Sequence, residues 1–216
     1  MSRQSALIEN PMREKDIILT AKVLSTVFTP FYLPIVGLAG LLTFSYLSML
    51  PWLYKLFLLL MVYIFTIILP TALIRLYRHY QGWTLIELGS KERRMIPYII
   101  SIVSYLTCYY IMALTHVPHF MGSILIAALV IQIMCAMINL KIKISTHTAA
   151  IGGVAGALTA FSLIFRFNPV WWLSAVILLA GLVGTSRMVL RQHSLHQVVL
   201  GFLLGVACSL VSVLLC

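Results

Sequence analysis

No carboxylate side chain follows Glu92 in a chain of 216 residues; the five acids are Glu9, Glu14, Asp16, Glu87 and Glu92. The long C-terminal stretch therefore excludes paired-carboxylate acid–base catalysis, Asp-bearing triads and most Mg²⁺ cages. Charge of either sign is scarce, at 9% of residues, where soluble globular domains carry roughly 25%. The four cysteines, Cys108, Cys135, Cys208 and Cys216, lie inside or at the end of apolar runs without CxxC spacing. They read as buried thiols, and no zinc site or disulfide framework is indicated. A cleavable signal peptide is not expected: residues 1–22 are polar, and the apolar run behind them is too long for a signal core.

What the chain has in excess is apolar residues, 62% of the total. The expected fold class is all-α, a polytopic transmembrane helical bundle of six or seven helices. It forms a single domain over 23–216 behind the polar tail. Crossing the hydrocarbon core takes about 20 apolar residues in a helix. Seven segments qualify: 23–49, 52–76, 97–115, 119–140, 148–165, 169–187 and 197–215. Pro30 and Pro34 predict a kinked or partly re-entrant first segment, hence the choice between six and seven spans. Short turns at Leu50-Pro51, Val117-Pro118 and Asn168-Pro169 predict antiparallel hairpins. Gly152 with Gly156, and Gly201 with Gly205, have the spacing of close helix packing.

With seven spans, the N-terminal tail, loop 77–96, turn 141–147 and turn 188–196 fall on one side, and the three Pro-containing turns on the other. Of the 15 Lys and Arg, only Lys55 and Arg166 lie opposite. The positive-inside rule makes the basic side cytoplasmic. A net charge of +10 suits anionic headgroups or an anionic substrate, and it also suits ordinary orienting loops.

Three polar clusters share the basic side. In GSKERRMIPY (89–98), Lys91, Arg93 and Arg94 read either as an interfacial anchor or as a clamp for phosphate oxygens. In KIKISTHTAA (141–150), Ser145 or Thr146 is a good N-cap, and a helix start with a hydroxyl is an anion site beside His147. In SRMVLRQHSLHQ (186–197), Ser186 and Arg187 end one span, and Gln197 stands four residues after His193. On a helix that spacing shares a face, so Gln197 is expected to hold one ring nitrogen of His193 and leave the other for attack. Each cluster alone is also explained as wet interface. Together they supply cations, hydroxyls and two histidines without an acid, a set suited to binding a phosphate and transferring it through His.

These residues resemble the type-2 phosphatidic acid phosphatase superfamily, membrane lipid phosphatases related to vanadium haloperoxidases. The family carries KxxxxxxRP, PSGH and SRxxxxxHxxxD in order. The third is matched in spacing by Ser186, Arg187, His193 and Gln197, with Gln at the family's Asp. The second is met loosely by Ser145-Thr146-His147. For the first, Arg94 is followed by Met-Ile-Pro, Glu87 stands at the Lys position, and Lys91 or Arg93 is the replacement cation. The resemblance covers about residues 85–210.

The resemblance implies hydrolysis of a phosphomonoester or pyrophosphate of a lipid through a phosphohistidine, with no metal or cofactor. His193 would be the nucleophile and His147 the acid toward the leaving oxygen. Lys91, Arg93, Arg94, Ser145, Thr146, Ser186 and Arg187 would hold phosphoryl oxygens, and Gln197 would orient His193 without the charge of an Asp. Candidate substrates are phosphatidate, phosphatidylglycerol phosphate, polyprenyl pyrophosphate and lipid A phosphates. The expected partners are the lipid substrate and membrane lipids, with no nucleic acid and no obligate protein partner. The expected location is multi-pass in a bacterial cytoplasmic membrane. Charge points the clusters to the cytoplasm, whereas the family's membrane phosphatases usually work on the other face. The alternatives are a lipid phosphotransferase and, because of Gln197, a non-catalytic lipid-phosphate binder or transporter.

Overall fold

The computed structural model describes residues 11–44, 46–81 and 95–216. Among them are α-helices α1 (Pro11–Val27), α2 (Leu33–Phe44), α3 (Trp52–Tyr63), α4 (Leu69–Gln81), α5 (Met95–Leu114), α6 (His119–Lys141), α7 (Thr146–Phe165), α8 (Val170–Val189) and α9 (Leu195–Leu215), and no strand. Among the described residues, six helical stretches are long and apolar enough to cross a membrane; α3 and α4 form one of them, Trp52–Tyr80. Leu106, Tyr110, Leu178, Leu182, Leu203 and Leu214 are exposed on the outside of these helices. Apolar side chains facing outward around a bundle match hydrocarbon as the surrounding solvent.

The first sequence-predicted segment, 23–49, is not one span. It is cut into α1, which begins in the polar tail at Pro11, and α2, which is too short to cross alone. The cause is local. Pro30 biases Thr29 away from helical geometry, and Pro34 lacks an N–H but is tolerated in the first turn of α2. The two pieces nevertheless reach both ends of the bundle. Phe28 packs with Ile151 and Val183 near the polar end. Leu38, Leu41, Leu42 and Leu47 join Val117 and Phe161 toward the end that carries the Pro-containing turns.

The second span contains a π-helical segment, Ile64–Ile68. Pro70 follows it directly. Its ring clashes with the carbonyl one turn back, and widening the preceding turn relieves the clash. The Leu69 N–H accordingly bonds the Ile64 carbonyl five residues away.

The closest helix pair is α7 with α9. A Cβ on Gly201 would sit 2.5 Å from the Ser145 carbonyl oxygen, and one on Gly205 would overlap the Ala149 carbonyl. Gly152 and Gly156 meet the Phe202 and Val206 carbonyls in the same way. The paired glycines thus act as their spacing predicted, letting two backbones touch where lipid supplies no hydrophobic drive.

Candidate active site

The α8–α9 turn places the first functional group. Ser194 is the N-cap of α9 and Gln197 its third residue, so Gln197 reaches back over the helix start. Its Oε1 accepts from the Ser194 N–H at 3.2 Å and lies 3.1 Å from His193 Nδ1. Because a backbone N–H donates to that amide atom, it is the oxygen. The hydrogen shared with His193 must then belong to Nδ1, which puts the lone pair of a neutral ring on Nε2. The expected Gln197–His193 bond is present, but its geometry is not that of two residues on one helical face. His193 precedes the N-cap, and the bond is an extension of the back-bonding half of a capping box.

The α7 start brings the second histidine. Ser145 caps α7, its Oγ accepting from the Thr148 N–H at 3.4 Å, and the Ser145 N–H donates to the Gln197 carbonyl at 3.3 Å. That inter-helix bond needs Gly201 beside the Ser145 carbonyl, where any side chain would push the helices apart. It joins the first turns of α7 and α9. His147, the second residue of α7, faces Arg187, His193 and the Ser25 main chain. Its Nδ1 is buried without a hydrogen-bond partner.

Arg187, in the last turn of α8, donates from Nη1 to Ser25 Oγ at 2.6 Å, while its Nε is buried and unpaired. Both the Nε and His147 Nδ1 are therefore uncommitted polar atoms in one small region, and buried polar atoms normally find a partner. An anion accepting from Arg187 supplies one. Ser186 points elsewhere: its hydroxyl is buried and donates to the Val183 carbonyl at 2.7 Å inside α8. Lys91, Arg93 and Arg94 lie outside the described residues.

Below this cluster runs a cavity of about 940 Å³. Lys143, Thr146, Arg187, Gln192 and His193 line its polar end, while Phe161, Phe167 and Trp172 line the other. A polar mouth over a long apolar trough matches a molecule with a charged head and a long tail. Among the described residues, no group of three His, Cys, Asp or Glu side chains comes together that could hold a metal ion.

Sequence reasoning passed over three contributors. Lys143 was visible in the KIKISTH stretch, and Gln192 sits beside His193. Ser25 carried no signal, because its partner is 162 residues away.

No significant match is found among curated proteins or solved structures. A family model described as "PAP2 superfamily" matches residues 99–215, more than half of the chain, and takes in α7, the α8–α9 turn and all of α9. The chain thus belongs to the PAP2 superfamily, a family generally of phosphatases that act on phosphoric esters.

Proposed function

We propose that this protein hydrolyses a lipid phosphate at the membrane interface, with His193 as nucleophile. The observation that carries the reading is that His193 and Arg187 line the polar mouth of an apolar cavity, with His147 facing both of them. In the first step the Nε2 lone pair of His193 bonds phosphorus, the bond from phosphorus to the lipid oxygen breaks, and that oxygen takes a proton from His147. Arg187 holds phosphoryl oxygens, and the first turn of α7 offers N–H groups toward the same charge. The proton stays on Nδ1, which donates to the Gln197 oxygen, whose dipole favours the positive ring. In the second step water gives a proton to His147 and its oxygen bonds phosphorus. The phosphorus–nitrogen bond then breaks, releasing phosphate and the neutral His193.

Phosphate release by the purified full chain from a panel of lipid phosphates tests this. The expected outcome is release by the native chain and none by His193→Ala or His147→Ala, with labelled phosphate trapped on His193 after an alkaline denaturing quench, in which a phosphohistidine survives. Full activity in His193→Ala overturns the nucleophile assignment.

One observation favours a second reading, a binder or transporter. The acceptor of His193 is a neutral amide oxygen already shared with the Ser194 N–H, so it contributes no full negative charge. Movement of lipid phosphate across vesicles with no phosphate released selects that reading.

A further inference from the structure

Beneath the mouth, the cavity wall holds polar atoms that the phosphoryl chemistry does not use. The Tyr105 hydroxyl and Gln132 Oε1 are buried, line the cavity and make no completed hydrogen bond. Tyr105 is fully buried, and its hydroxyl lies within reach of a side-chain hydrogen bond from Gln132, which leaves the hydroxyl hydrogen for the cavity. Ser209, equally buried and unpaired, lines the same cavity beside Gly156. Leaving such atoms unpaired costs about 1–3 kcal/mol each, so a cluster of them on one cavity implies an occupant with a hydrogen-bonding atom.

The depth of the pair narrows the occupant. Ile131, next to Gln132, packs with Ala149 and would touch a Cβ on Gly153. Ala149 and Gly153 follow His147 on α7 by two and six residues, or about 3 and 9 Å along the axis. Gln132 therefore stands roughly one helical turn below the phosphate region. In an acylglycerol phosphate, only the glycerol carbons and linking oxygens separate phosphorus from the ester carbonyls. A polyprenyl chain has no polar atom at that depth.

We infer that Tyr105 and Gln132 form a subsite for an ester carbonyl of an acylglycerol phosphate, the Tyr105 hydroxyl donating to the carbonyl oxygen and, as it turns toward the ligand, the Gln132 amide donating beside it. This rests on the lipid-phosphate reading of the mouth and names the tail chemistry that reading leaves open. The subsite selects ester-linked lipids over ether-linked and polyprenyl ones.

The test compares dipalmitoyl phosphatidate with its dihexadecyl ether analogue and with a polyprenyl phosphate. Binding is measured by native mass spectrometry on His193→Ala, and phosphate release on the otherwise native chain. The expected result is an ester preference over ether of about three- to tenfold, the worth of one net hydrogen bond. Tyr105→Phe, which removes one oxygen and keeps the ring, should erase the preference while leaving the ether lipid's binding unchanged. Gln132→Leu should weaken the preference in the same direction. Equal binding of ester and ether, or a preference untouched by Tyr105→Phe, overturns the subsite and leaves water as the occupant. If ester preference and its loss in Tyr105→Phe are seen in binding without any phosphate release, the subsite stands and the hydrolase reading falls. Phosphate release without ester preference does the reverse.

Discussion

At the scale of single residues, the side chain that decides most is Gln197. Its one oxygen fixes the His193 tautomer and closes the first turn of α9. Gln197→Leu removes both bonds at similar volume, and kcat should fall about tenfold or more with little change in KM. Gln197→Glu keeps the reach and adds the charge that the resembled family places there. A charge-assisted hydrogen bond exceeds a neutral one by about 1.4 kcal/mol, so kcat should rise about tenfold. Steady-state phosphate release measures both, and a slower Glu variant would show that the amide is not a handicap. Arg187 and Ser25 form the other informative pair. Ser25→Ala leaves a half-buried guanidinium short of an acceptor, so KM should rise severalfold while kcat changes little. Arg187→Lys loses the planar fork, and its KM should rise about tenfold or more. His147, Arg187, His193 and Gln197 were legible in the sequence as candidates because motif spacing is a local property. Ser25 was not, because it reaches Arg187 only after α1 packs against α8.

At the scale of helices, the site depends on how closely α7 and α9 approach. Gly205→Ala would drive a Cβ into the Ala149 carbonyl and within 2.8 Å of the Gly153 nitrogen. Neither atom belongs to a flexible side chain, so the helices must separate, at about 1–3 kcal/mol. A lower unfolding temperature in detergent, with activity lost in parallel, is the expected outcome. Gly181→Ala is the control. Nothing lies within 4 Å of the point on α8 that its methyl group would occupy, and the change should raise stability by about 0.5–1 kcal/mol through helix propensity. Helix ends were read to within a few residues, since caps and prolines act on their neighbours. The splitting of 23–49 was anticipated as a kink or a partly re-entrant segment, not as two separate helices. Two prolines mark where a helix is strained, but packing of Phe28 and Leu38 decides whether it bends or breaks.

At the scale of the whole molecule, the six long helices put the turns at Ile142 and Arg191 at one end of the bundle and those at His116 and Asn168 at the other. All four residues are exposed. In a chain freed of its native cysteines, Ile142→Cys and Arg191→Cys should react with an impermeant thiol reagent from one side of sealed vesicles. His116→Cys and Asn168→Cys should react only from the other. Labelling of all four from one side would break the spanning arrangement, and the side that labels Arg191→Cys is the face of the candidate site. The sequence by itself determined that the chain is a helical membrane bundle, where its hairpins turn, which glycines let helices touch and which histidines stand at one end. Those properties follow from composition, periodicity and short spacings, each felt within a few residues. Only the tertiary structure decided that His147 meets His193, that Ser25 holds Arg187, and that Tyr105 and Gln132 share a cavity beneath them. These are contacts between helices far apart in the chain, and they exist only once packing has chosen which faces turn inward.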